Sequence, residues 1–310
     1  MWIRDTLPHL FPMIRFASYG YETKLYPSTS FQSVPDLAIS LVDALKSCGW
    51  SSPTAKPLVF LAHSLGGIVL KQALVMLAGS GGTEKFIHTL VRGCIFFGVP
   101  SRGMPMNDIK IMLGKQPNAD TLVAEISDTS EYLQTLERQF SGISFLRTVK
   151  VYWAYETKTT KAVFEVSCIV YSSLSTQRLT MTCCQEVGGG FTRSGSDVIL
   201  VTKESATGGR CTEDPLSTVP VDENHSDMVK FSHGDHRIRN FAYKLGEICG
   251  ATPQPMVVVD NQLHVDSPPQ KPEDGPYNTA QLAMPEFPQW DNQSKSYPGL
   301  ASYLLSTSTF

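Results

Sequence analysis

Apolar positions along the first 250 residues follow two rhythms. Short, almost continuous apolar runs at Pro57–Ala62 and Cys94–Gly98 predict buried strands, the second ended by Val99-Pro100. Ile14–Tyr21, Thr148–Ala154 and Val198–Thr202 predict three more. Helical spacing fills the intervals. Pro35–Ser47 places Leu37, Leu41, Val42 and Leu45 on one stripe, while Leu65–Ala78 is apolar on nearly every face and therefore internal. Residues 107–140 predict two or three helical pieces, with Tyr132, Leu133, Leu136 and Phe140 aligned, and Ile238, Phe241, Leu245 and Ile248 mark a last amphipathic helix. Strands alternating with helices predict an α/β fold, a mostly parallel sheet with helices on both faces.

The rhythm fails in two places. Residues 164–196 hold three cysteines, many Ser and Thr, and Gly188-Gly189-Gly190. So long an irregular insertion between strands predicts a flexible excursion or an unremoved intron. Beyond residue 250 no period is visible, and this stretch carries nine of the 20 prolines, two basic and six acidic residues. Residues 1–250 are thus expected to form the domain, and 251–310 a disordered tail or linker that could engage protein partners.

Composition narrows the function. With 42% hydrophobic and 18% charged residues, the 310-residue chain has the makings of a substantial core. A net charge of −3 gives no electrostatic footprint for nucleic acid or an anionic membrane. No apolar run approaches the roughly 18 residues of a membrane span, and Met1-Trp2-Ile3-Arg4-Asp5 lacks a secretory leader pattern. Seven cysteines without paired spacing argue against a disulfide framework. These features predict a soluble, intracellular protein.

The most informative segment is Leu61-Ala62-His63-Ser64-Leu65-Gly66-Gly67, where an apolar strand runs through Ala-x-Ser-x-Gly into a helix. A serine on such a turn is forced into strained backbone geometry, so its neighbours two positions away must be small. Ala62 and Gly66 meet that demand, although glycine is more usual at the first, and Gly67 allows close helix–strand packing. The turn would expose the Ser64 hydroxyl and place the Leu65 amide at a helix start as an oxyanion donor. A hydroxyl needs a base, and in this arrangement acid and base follow the serine on loops after later strands. Glu156, just beyond Thr148–Ala154, is the best acid, with Asp222 in reserve. His225 is the best base. On order alone, Glu156 could equally be a solvated loop carboxylate and His225 a polar turn residue.

Other constellations carry less. His233 and His236 could share a helical face near His225, but no third ligand recurs at a suitable spacing, so no metal is expected. Cys183-Cys184 has no histidine partner nearby. Gly79-Ser80-Gly81-Gly82 lacks the lysine of a phosphate cradle. Lys71 is expected on the solvated edge of its helix.

Taken together, Trp2-Ile3-Arg4-Asp5, Tyr19-Gly20-Tyr21-Glu22, the stretch Leu61–Leu74, Phe96-Phe97-Gly98-Val99-Pro100, Tyr155-Glu156-Thr157-Lys158 and His225-Ser226-Asp227-Met228 follow a recognisable order. In that order the chain resembles the fungal lipase-like serine esterase modules of NACHT and ankyrin-repeat proteins, and more distantly the serine active site-containing protein 1 family. The resemblance implies an α/β-hydrolase with Ser64, Glu156 and His225 as triad, a small ester or lipid substrate and no cofactor. It also implies a preceding strand whose His-Gly-Leu-Gly type loop supplies a second oxyanion amide, so the chain reads as N-terminally truncated. Ser101 stands where the family often has histidine. The distant relatives act on mitochondrial and endoplasmic reticulum lipids. The expected activity is a serine esterase or lipase; the alternative is an impaired fragment serving as an interaction module.

Overall fold

The computed structural model describes residues 2–21, 32–82, 85–105, 119–165, 191–210, 212–232, 234–255 and 301–306. In chain order the strands of the main sheet are β1 (Ile14–Tyr19), β2 (Leu58–His63), β3 (Val91–Phe97), β4 (Lys150–Glu156), β7 (Thr218–Val221) and β8 (Ala301–Ser306). Across the sheet they run β1-β8-β2-β3-β4-β7, every neighbouring pair parallel. A separate antiparallel pair joins β5 (Thr160–Glu165) to β6 (Phe191–Val198). The helices are α1 (Trp2–Asp5), α2 (Leu7–Leu10), α3 (Val34–Ser47), α4 (Leu65–Gly79), α5 (Lys85–Leu90), α6 (Ala119–Ile126), α7 (Glu131–Ser141), α8 (Lys203–Thr207) and α9 (Arg237–Cys249).

Alternation along the strands divides the core. Leu58, Phe60, Ala62, Cys94, Phe96 and Trp153 face α3, α4, α5 and α7. Val59, Leu61, Ile95, Phe97, Tyr152, Ala154, Val219 and Val221 face α1, α2 and α9. Both faces are covered, which is why β2 is buried at all six positions and its sequence shows no polar alternation. The α3 helix illustrates what fixes a covering element. Ser33 and Asp36 form a reciprocal capping box, worth about 1 kcal/mol. Burial of Leu37, Leu41 and Leu45 contributes about 1.5–3 kcal/mol each, so packing outweighs the cap. Among the described residues, no helix is long and apolar enough to cross a membrane.

Several sequence expectations need correction. Val198–Thr202 is not a strand: β6 ends at Val198, and 199–202 form a loop leading to α8, whose first turn is capped by the Thr202 side chain. The strand preceding His225 is instead β7, unforeseen because it has four residues and contains Pro220. At the sheet edge that proline withholds no needed ladder donor. Parts of the stretch expected to be irregular are strand, namely 164–165 and 191–196, while 166–190 lie outside the described residues. Within the expected tail, 301–306 form β8 in the sheet, and 256–300 and 307–310 lie outside the described residues. Of the helical stretch 107–140, α6 and most of α7 are observed, and 106–118 lie outside.

Candidate active site

The site is assembled at the C-terminal ends of β2, β3, β4 and β7. Ser64 sits between β2 and α4 with φ 51° and ψ −129°. Among the described residues it is the one non-glycine with positive φ. Such geometry costs on the order of 1–3 kcal/mol and persists only where the surroundings enforce it. Here the Ser64 amide donates to the Phe97 carbonyl at 2.9 Å, and its own carbonyl accepts from the Gly67 amide at 3.0 Å. Gly67 itself packs so tightly on Val99 that a methyl there would overlap the valine side chain.

Three predicted side chains meet at this turn. His225 Nε2 lies 2.9 Å from Ser64 Oγ, and His225 Nδ1 lies 2.8 Å from Glu156 Oε2. The other carboxylate oxygen, Oε1, accepts from the Leu200 amide at 2.7 Å and the Val201 amide at 3.1 Å. With Oε1 held by two backbone amides, Oε2 is left to accept a hydrogen bond from Nδ1–H of the imidazole. That tautomer leaves the Nε2 lone pair facing the serine hydroxyl. Ser64, Glu156 and His225 are all buried, at 1%, 4% and 2% exposure. Leu65 occupies the first position of α4, whose opening amides an α-helix leaves outside its own ladder. Asp222, the reserve acid, is brought to no part of this site: its side chain is 83% exposed and faces Lys158.

Two supports of His225 escaped the sequence reading. The first is Gly98, with φ 51°, whose amide donates to the Ala154 carbonyl at 2.8 Å. A Cβ there would stand 3.0 Å from His225 Nδ1 and 2.9 Å from Met228 Sδ, so the absent side chain is the room the imidazole occupies. The second is His63, buried at 5%, whose Nε2 donates to the His225 carbonyl at 2.9 Å. The Leu200 and Val201 amides were missed because 198–202 looked like a strand. Asn224 completes the turn, its side-chain oxygen accepting from the amides of Ser226 and Asp227.

Lys71 corrects a further expectation. It is fully buried rather than on a solvated edge. Its ammonium donates to Ser101 Oγ and to Glu137 Oε2, both at 2.7 Å, and lies 4.8 Å from the Trp153 ring centroid and 5.1 Å from that of Phe140. Burial pushes Lys71 down to about 8, against the opposing pull of Glu137. Burial alone would raise the Glu137 carboxyl, but Lys71 and Arg210 together hold it below its ordinary value. A lysine in a helix apolar on every face was the available signal.

A doubly covered parallel sheet with a strained serine between strand and helix defines an α/β-hydrolase fold. No family model matches the chain. Among curated proteins it is similar to Protein SERAC1. It is 25% identical to the Bos taurus protein over 165 residues, which is 49% of this chain and 25% of that one. For the Homo sapiens protein the figures are 24% over 168 residues, 49% and 25%. The chain therefore spans about a quarter of the length of the curated relatives it matches. Among solved structures, Bacillus licheniformis lipase BlEst2 in its mature form aligns with a TM-score of 0.34 and 14% identity, over 50% of this chain and 70% of that one. Phospholipase PlaB from Legionella pneumophila, in complex with thio-NAD, aligns with a TM-score of 0.33 and 12% identity, over 46% and 37%.

Proposed function

We propose that this chain is a serine hydrolase of the esterase or lipase type, acting on carboxylic esters through Ser64, His225 and Glu156. The observation that carries the reading is the unbroken hydrogen-bond path from Ser64 Oγ through both nitrogens of His225 to Glu156. His225 Nε2 takes the hydroxyl proton as Ser64 Oγ attacks the ester carbonyl. Glu156 keeps the imidazole in the working tautomer and stabilises the imidazolium that forms. The Leu65 amide donates to the oxyanion of the tetrahedral intermediate. Collapse expels the alcohol, which takes its proton from His225 Nε2. Water then attacks the acyl carbonyl as the same nitrogen takes its proton. The second tetrahedral intermediate breaks its bond to Ser64 Oγ, which takes the proton back from His225 Nε2 as the acid leaves. These steps call only on side chains, one backbone amide and water.

The surroundings of the elbow are consistent with that substrate class. Leu65 packs against the buried apolar cluster of Met104, Leu122, Ile126, Leu200, Val201 and Ala206, so the elbow is bordered by apolar side chains. This reading places the chain beside the lipase-like serine esterase modules it resembles in sequence, with a lipid or simple ester as substrate. The test is fluorophosphonate labelling of the purified chain, a reagent that reports an activated serine whatever the substrate. Labelling is expected, and is lost in both Ser64→Ala and His225→Ala. Folded protein that never labels would overturn the enzyme reading and leave the interaction module.

A further inference from the structure

The sheet contains one strand out of chain order. β1 and β2 do not pair with each other, because β8, the last of the described strands, stands between them. All six residues of β1 are matched by β8, Ile14 with Ala301 through Tyr19 with Ser306. On its other edge β8 pairs Leu304, Leu305 and Ser306 with Phe60, Leu61 and Ala62. Thus β1 joins the sheet through β8, and the end of the nucleophile strand is held on one side by β3 and on the other by β8. Ala62, two residues before Ser64, lies between Phe96 and Ser306.

We propose that the space between β1 and β2 is a strand-binding slot, filled in cis by Ala301–Ser306, and that its occupancy holds the Ser64 turn in place. The recognition is parallel β-augmentation, in which main-chain hydrogen bonds on two edges select an extended segment. Buried backbone groups of β2 need partners on both edges, so an empty slot leaves the inner half of the Phe60–Ala62 backbone unpaired. The connection permits the docking. The Gln254 amide donates to the Leu10 carbonyl at 2.9 Å, which brings the chain after α9 beside α2, the helix that leads into β1. From there 45 residues separate Pro255 from Ala301, a contour of roughly 150 Å when extended, so reach does not limit the docking.

The test is Leu304→Pro in the full chain, because residue 304 pairs with both Ala17 and Phe60, and proline removes a ladder donor. Leu304→Ile is the control. Amide exchange in 14–19 and 60–62 is expected to accelerate about tenfold or more in the proline variant, while β4 stays protected and fluorophosphonate labelling slows about tenfold. Unchanged exchange in both segments overturns the slot; faster exchange with undiminished labelling overturns its link to Ser64. Should the variant fail to fold, Ser18→Cys with Leu305→Cys, register partners on β1 and β8, carries the test. An intramolecular disulfide supports the docking, and its absence under mild oxidation overturns it. A disulfide formed between molecules, or protection that rises with protein concentration, assigns the strand to a second copy and overturns the cis docking. A wild-type chain that never labels defeats the esterase reading alone, since the exchange pattern still decides the slot.

Discussion

Two buried polar clusters lie on the same helix, and they are built for opposite purposes. Ser64 caps the start of α4, and Lys71 sits seven residues on, about 10 Å along the axis. Around Ser64 a single carboxylate is satisfied by two amides and an imidazole, and a directed path of hydrogen bonds leads from it to a hydroxyl. Around Lys71, two cations share Glu137, with Arg210 at 2.5 Å from its second oxygen, and the faces of Phe140 and Trp153 fill the remaining space. In the proposed mechanism the first cluster passes a proton along that path. The second holds the fold together: Lys71 and Arg210 converge on the one carboxylate of Glu137, so removing that carboxylate leaves both cations without their anion. Backbone strain separates them too: Ser64 has positive φ, and no residue of the Lys71 cluster does.

If that contrast is right, the two clusters respond differently to loss of a carboxylate. Glu156→Gln is expected to slow fluorophosphonate labelling roughly 100- to 10,000-fold, because the amide no longer enforces the working imidazole tautomer. Its urea midpoint should move little, since Gln can still accept from the Leu200 and Val201 amides. Glu137→Gln should do the reverse. It leaves Lys71 and Arg210 buried without their anion, a loss of about 3–5 kcal/mol in urea unfolding, while the labelling rate per folded molecule stays near wild type. Equal effects on both readouts in either variant would break the comparison.

A pH series gives the finest resolution. Lys71 titrates at about 8 in the fold and near 10.4 when unfolded. Between those values the unfolded chain binds more protons, so this group's contribution to stability rises as pH increases through the window. The stability gap between wild type and Lys71→Met is therefore expected to widen from pH 7 to pH 9.5, by about 1 kcal/mol or more. A gap that is flat with pH would mean that Lys71 stays charged throughout. Paired urea curves at the two pH values measure it.

What could be read in the chain depended on how local the cause was. The elbow was legible because its strain restricts adjacent positions, leaving Ala62, Gly66 and Gly67 around Ser64. Glu156 and His225 were candidates from chain order after strands and were singled out only through the family resemblance; the structure places His225 against Ser64 and Glu156 against His225. Where the cause was distant, reading failed. Val198–Thr202 has the apolar content of a strand, but Leu200 and Val201 are buried in a loop that feeds two amides to Glu156. Lys71 looked like a surface cation because Glu137 and Arg210, some 66 and 139 residues later, are what pay for its burial. β8 had no local signature either, since its partners lie some 240 to 290 residues earlier in the chain.

Gly98 has a consequence for reading inherited or engineered variation. It carries no reacting group, lies outside the serine motif and would count as replaceable by any survey of side-chain chemistry. Yet its φ of 51° and the 3.0 Å between an added Cβ and His225 Nδ1 make even alanine an intruder in the imidazole's space. Genotype at this codon is therefore expected to predict loss of function as sharply as genotype at the serine itself.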